Sequence, residues 1–65
     1  MPELYKGRVV AELHELDMKI RNLNNFFKKE DFNALDKKQQ DTLRAQYHIM
    51  TSYSIILEIR ISAFI

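Results

Sequence analysis

The sequence has no cysteine and no tryptophan, a single proline, a single glycine, and no apolar run of the twenty or so residues that a membrane-spanning helix needs. Each absence closes off a class of protein. Without cysteine there is neither a disulfide framework nor a thiolate metal site, so a chain of 65 residues must be stabilised in another way, and a cytosolic location fits. Pro2 and Gly7 are confined to the first seven residues, which leaves 8–65 without the strongest backbone punctuators and argues for long helices against an all-β chain. Met1-Pro2-Glu3-Leu4-Tyr5-Lys6 lacks the apolar core of a signal peptide. The longest charge-free stretch, Ala45 to Leu57, is interrupted by Gln46, His48, Thr51 and Ser52, so no membrane partner is expected. Charge of one sign is also missing: ten Lys and Arg stand against nine Asp and Glu, with the signs interspersed. General binding to a phosphate backbone needs an electrostatic footprint that this balance does not supply.

What is present is helical periodicity. Val9, Leu13, Leu16, Ile20, Leu23 and Phe27 recur at alternating steps of four and three, an unbroken apolar stripe. Glu12, Glu15, Lys19 and Arg21 occupy the other faces, and Glu15 precedes Lys19 by four residues in the favourable order for a helical ion pair. Leu43, Met50, Leu57 and Phe64 follow at steps of seven, with Tyr47, Ser54 and Ile61 between them. Asp36 followed by Gln39 has the spacing of a capping box, and Phe32 and Leu35 provide apolar anchors for a packed turn. The expected fold is all-α: a single domain over 1–65 made of two antiparallel helices, about 8–28 and 37–63, joined by a hinge at 29–36. Gly7 would separate an N-terminal arm, residues 1–7, from the first helix. Folding about the hinge pairs residues whose numbers sum to about 66, which sets Leu16 against Met50 and Val9 against Leu57.

One seam buries too little for a chain of this size to fold alone. Ile49, Tyr53, Ile55, Ile56, Ile59, Ala63 and Ile65 lie off the seam centre and make the last third of the second helix apolar nearly all round. That second face is expected to be an oligomer or partner interface, with a homo-oligomeric helical bundle as the assembly.

Catalytic and metal chemistry find no foothold. His14-Glu15 starts a zinc-protease pattern, but Met18 stands where the second histidine belongs, and two imidazoles, His14 and His48, do not make a metal site. Ser52, Ser54 and Ser62 lie on a helix without a His-Asp partner, and there is no glycine-rich phosphate loop. Glu58, between Leu57 and Ile59, is expected to pair with Arg60 or Arg8. No catalytic residue, cofactor or metal is expected. The strongest candidate for ligand binding is the open end of the hairpin, where Tyr5, Lys6 and Arg8 approach Arg60 and bring cations and an aromatic ring together, a combination suited to a phosphate or a planar base. Arg60 snorkelling to solvent, with Tyr5 covering the bundle end, is the structural alternative.

Across nearly the whole chain, Arg8-Val9, Glu12, Glu15-Leu16, Lys19-Ile20, Leu23, Phe26, Phe32, Leu35, Gln40, Leu43, Gln46, Met50, Tyr53, Ile56-Leu57 and Arg60-Ile61 carry a resemblance. They resemble a family of small helical-hairpin proteins of tailed bacteriophages and prophages, crAss-like phages included. The resemblance implies a phage accessory protein in the bacterial host cytoplasm, with no established activity to transfer. The architecture is also similar to the hairpin module of phage nucleotide sponges, which sequester cyclic nucleotide signals of host immunity. The chain length and the Leu35-Asp36-x-x-x-Gln40 hinge resemble the Rop protein, a dimeric bundle that binds paired RNA hairpins. Three roles follow: sequestration of a phosphate-bearing nucleotide such as a cyclic nucleotide, which leads; direct inhibition of a host protein through the isoleucine-rich face; and RNA binding.

Overall fold

The computed structural model describes residues 2–64, with side chains described from residue 5 to residue 64. It is all-α: α1 spans Pro2–Phe26, α2 is a single turn at Glu30–Asn33, and α3 spans Lys37–Ser62. α1 and α3 pack against each other as an antiparallel hairpin about 47 Å long and 15 Å across. Leu13, Leu16, Ile20, Leu23 and Phe27 of the first stripe, and Leu43, Tyr47, Met50, Ile61 and Phe64 of the second, are all partly buried, while Val9 and Leu57 are buried outright.

The helix bounds differ from those expected at both ends of α1. The helix starts at Pro2, and the segment 2–7 is its first turns, with no separate arm. Proline suits a first helical turn, where its missing N–H costs nothing, and Gly7 keeps a negative φ inside the helix. The other end stops at Phe26, two residues early, because the chain must turn to place Phe32.

That turn is a packed element. Phe32, 3% exposed, sits with its ring centroid 5.0 Å from Phe27 and 6.0 Å from Phe26, and the Arg44 guanidinium lies 5.1 Å from its ring centre. Asp36 caps α3 by accepting from the Gln39 backbone N–H at 2.7 Å. The amide that ties the turn together belongs to Gln40: its Nε2 donates to the Phe32 and Leu35 carbonyls, both at 3.1 Å. The Phe32 carbonyl also accepts from the Leu35 backbone N–H at 3.1 Å, so Gln40 adds a second bond there and supplies one to the Leu35 carbonyl between the two helices.

The expected pairing holds toward the open end of the hairpin, where Tyr53 reaches Glu12 and Arg60 reaches Tyr5, each within one residue of it. Nearer the turn the contacts depart from it: Asp17 meets Ser54, where residue 49 was expected opposite, and Phe27 meets Tyr47 at 5.5 Å between ring centroids. There α2 fills the space beyond the end of α1, with Phe32 packed on Phe26 and Phe27.

Candidate functional site

Tyr5, Arg8 and Glu12 are spaced three and four residues apart on α1 and so share one stripe of the helix. On α3, Tyr53 and Arg60 are seven residues apart and share another. The hairpin sets the two stripes side by side. Arg60 Nη2 donates to the Tyr5 hydroxyl, and the guanidinium carbon lies 5.5 Å from the Tyr5 ring centre. Tyr53 Oη donates to Glu12 Oε1 at 2.7 Å. The result is an open strip along one side of the hairpin carrying two phenols, two guanidinium groups and one carboxylate.

Electrostatics follow from these contacts. Arg60 is raised above an already high value, mainly by its hydrogen bond to Tyr5, and stays a cation under all ordinary conditions. Tyr53 is held above the usual phenol value of 10.0, first by its hydrogen bond to Glu12 and then by burial and by the Glu12 charge, with Arg60 acting in the opposite sense. A tyrosinate formed there would lose the bond and face a carboxylate. Among the described residues, Lys6, Arg8 and Arg60 make no ion pair, and the salt bridges that do form, Lys37–Asp41 at 2.9 Å and Arg44–Asp41 at 3.5 Å, lie at the other end of α3.

Of the four candidate ligand-binding residues, the structure therefore brings Tyr5 and Arg60 into contact and sets Arg8 one turn along from Tyr5. Lys6 lies at the same end with a different partner: its Nζ is 5.6 Å from the Phe64 ring centre, and Phe64 also packs edge-on against Tyr5 at 6.0 Å. Arg60 takes Tyr5, not Glu58, as its partner, and Glu58 is exposed. Glu12 was legible only as a surface charge, yet it orients Tyr53; its spacing of four residues from Arg8 was the available signal. The bond from Ser54 Oγ to Asp17 Oδ1 at 2.8 Å was not legible either, because the expected pairing set residue 49 opposite Asp17.

Of the residues expected at an interface, Ile49, Ile55, Ile56 and Ile59 line the side of α3 away from α1. Ile49 is 70% exposed, Ile59 63%, and Ile55 and Ile56 52% each, while Tyr53 is 38% exposed because α1 covers part of it. Ala63 caps the C-terminus of α3 and is exposed. Ile65 lies outside the described residues. A shallow depression on this face is lined by His48, Ile49, Ser52, Tyr53 and Ile56.

The fold and strip define a small helical-hairpin protein with a cationic-aromatic edge and an uncovered apolar face. Residues 3–63 match the model of the Sequestin family, and the chain belongs to that family. It is also 35% identical over 60 residues to the uncharacterised 7.5 kDa protein encoded in the denB–rIIB intergenic region of Enterobacteria phage T4, an alignment covering 92% of this chain and 94% of the relative. These matches place it among small phage proteins. No solved structure matches. Among the described residues, no helix is long and apolar enough to cross a membrane.

Proposed function

We propose that this chain is a phage binding protein that counters a host defence or regulatory system in the host cytoplasm by holding a phosphate-bearing nucleotide signal, as a homo-oligomer and without catalysis. The observation that carries this reading is the Arg60–Tyr5 pair with Arg8 on the same stripe. One N–H of Arg60 is taken by the phenol, which fixes the guanidinium; its remaining donors are available to phosphate oxygens. The Tyr5 ring offers a face for a planar base, and Glu12 offers an acceptor for a base N–H. The family's name, Sequestin, denotes retention of a partner and agrees with this role.

Calorimetry against cyclic di- and trinucleotides and ADP-ribose derivatives tests the reading. Removing a charge-assisted contact costs about 1.5–3 kcal/mol, so Arg60→Ala and Arg8→Ala should each weaken binding on the order of 10- to 100-fold with the oligomeric state intact. If no member of the panel binds the wild type, or if both variants bind as tightly as it does, the strip is not a ligand site. A second reading, direct inhibition of a host protein through the isoleucine-rich face, draws on the exposure of Ile49, Ile56 and Ile59. Its signature is capture of one host protein at fixed stoichiometry with no nucleotide retained.

A further inference from the structure

α3 carries two apolar stripes on opposite sides. One faces α1. The other is Ala45, Ile49, Ser52, Ile56, Ile59 and Ala63, at steps of four, three, four, three and four, and every one of these side chains is exposed in the hairpin. The spacing is the same read in either direction, and so, nearly, are the residues: alanine at both ends, isoleucine next to each, and serine opposite isoleucine at the centre.

We infer that this stripe is the contact between two copies of the chain, paired as antiparallel α3 helices across a two-fold axis that passes beside residue 54. In that register Ala45 meets Ala63 of the second copy, Ile49 meets its Ile59, and Ser52 meets its Ile56, so every member of the stripe is used and the two layers beside the axis each set a large side chain against a small one. A two-fold contact requires this kind of self-complementarity, in which one patch serves both partners. A partner of any other sequence would not.

Two further observations support a second copy. Ile49, Ser52, Tyr53 and Ile56 stand at positions i, i+3, i+4 and i+7, the diamond that receives one side chain of a facing helix, and the surface depression lies on these four residues. The small Ser52 is among its lining residues, and the register sets Ile56 of the second copy against it. Charge is also compatible. At the flanks, Tyr53 and Ile55 each lie beside their own counterpart, His48 lies beside Ser62, and Arg60 lies beside Gln46, so no like charges face each other. The same contact covers Ile49, Ile55, Ile56 and Ile59, the exposed isoleucines of α3. It also supplies burial to a hairpin in which Val9, Phe32 and Leu57 are the buried apolar residues among those described.

The inference rests on the homo-oligomeric state proposed above and is independent of the nucleotide. The chain has no cysteine, so single thiols can be placed at will. Ala45→Cys and Ala63→Cys are mild substitutions at exposed positions. Treated separately with a short bis-maleimide, neither variant should cross-link, because each residue lies about 27 Å along the helix from its own counterpart. Mixed in equal amounts, they should yield a cross-linked species approaching about half of the dimers, the share of mixed pairs at random assortment. Efficient cross-linking of Ala45→Cys alone means parallel helices and overturns the register. A dimer by sedimentation without mixed cross-linking overturns it too, while leaving assembly in place. A folded monomer at micromolar concentration overturns both the register and the oligomer, and assigns the face to another protein.

Discussion

Replacing Gly7 with alanine is expected to stabilise the protein. Gly7 lies inside α1 with a helical, negative φ, and a Cβ added there would meet no atom within 4 Å, so the substitution brings no strain and no clash. What changes is the unfolded chain, whose conformational freedom is reduced, and the helix, which loses its one poor former. An interior glycine costs about 1 kcal/mol relative to alanine. For a domain of this size that corresponds to a rise in melting temperature of about 4–8 °C. Circular dichroism melts at one fixed protein concentration read it directly; the concentration is held because self-association shifts apparent stability. The gain should appear without loss of ligand affinity, since Tyr5 and Arg8 keep their places on the helix. An unchanged or lowered melting temperature would refute the reasoning, because it would mean that the segment 2–8 is not helical in solution and that Tyr5 is not carried to Arg60 by α1.

Two other outcomes follow from burial and charge. Leu57, 0% exposed, should cost about 2–5 kcal/mol on truncation to alanine, read as a lowered denaturation midpoint, whereas Ile56→Ala, at a side chain 52% exposed, should weaken self-association in sedimentation before it lowers helix content; equal effects on unfolding would contradict the assignment of the two faces. Tyr53, raised above 10.0 by Glu12, adds stability that is fully present below that value and is lost as pH rises through the higher folded value. In ultraviolet titration Glu12→Gln should therefore bring the Tyr53 ionisation down, with Tyr53→Phe identifying its amplitude, and an unshifted curve would show that the Tyr53–Glu12 bond does not form in solution.

Much of this architecture could be read before any coordinates. The period of Val9, Leu13, Leu16, Ile20, Leu23 and Phe27 and the sevenfold steps from Leu43 to Phe64 are properties of single helices, and a helix expresses its own period wherever it is placed. The same holds for the Asp36 cap and for the isoleucines left off the seam. Gly7 misled because glycine is permissive, and permissiveness does not oblige a break. Lys6 was placed by the sequence at the same end as Tyr5, and the Phe64 ring that takes its ammonium also packs on Tyr5, a partner that periodicity did not name.

Sequence by itself determined two long helices, a packed turn between them, balanced charge, and a second apolar face on α3. Tertiary structure alone decided which polar side chains bond across the seam and how the contacts run near the turn. Burial of Phe32 in α2 and the bonds of Gln40 to the turn's carbonyls fix how α3 leaves the turn, and there Asp17 meets Ser54 away from the expected pairing. The approach of Tyr5 to Arg60 followed from the pairing, whereas the bond of Tyr53 to Glu12 depends on side-chain reach that a stripe pattern does not specify. Periodicity specifies a face, whereas only the turn specifies a register.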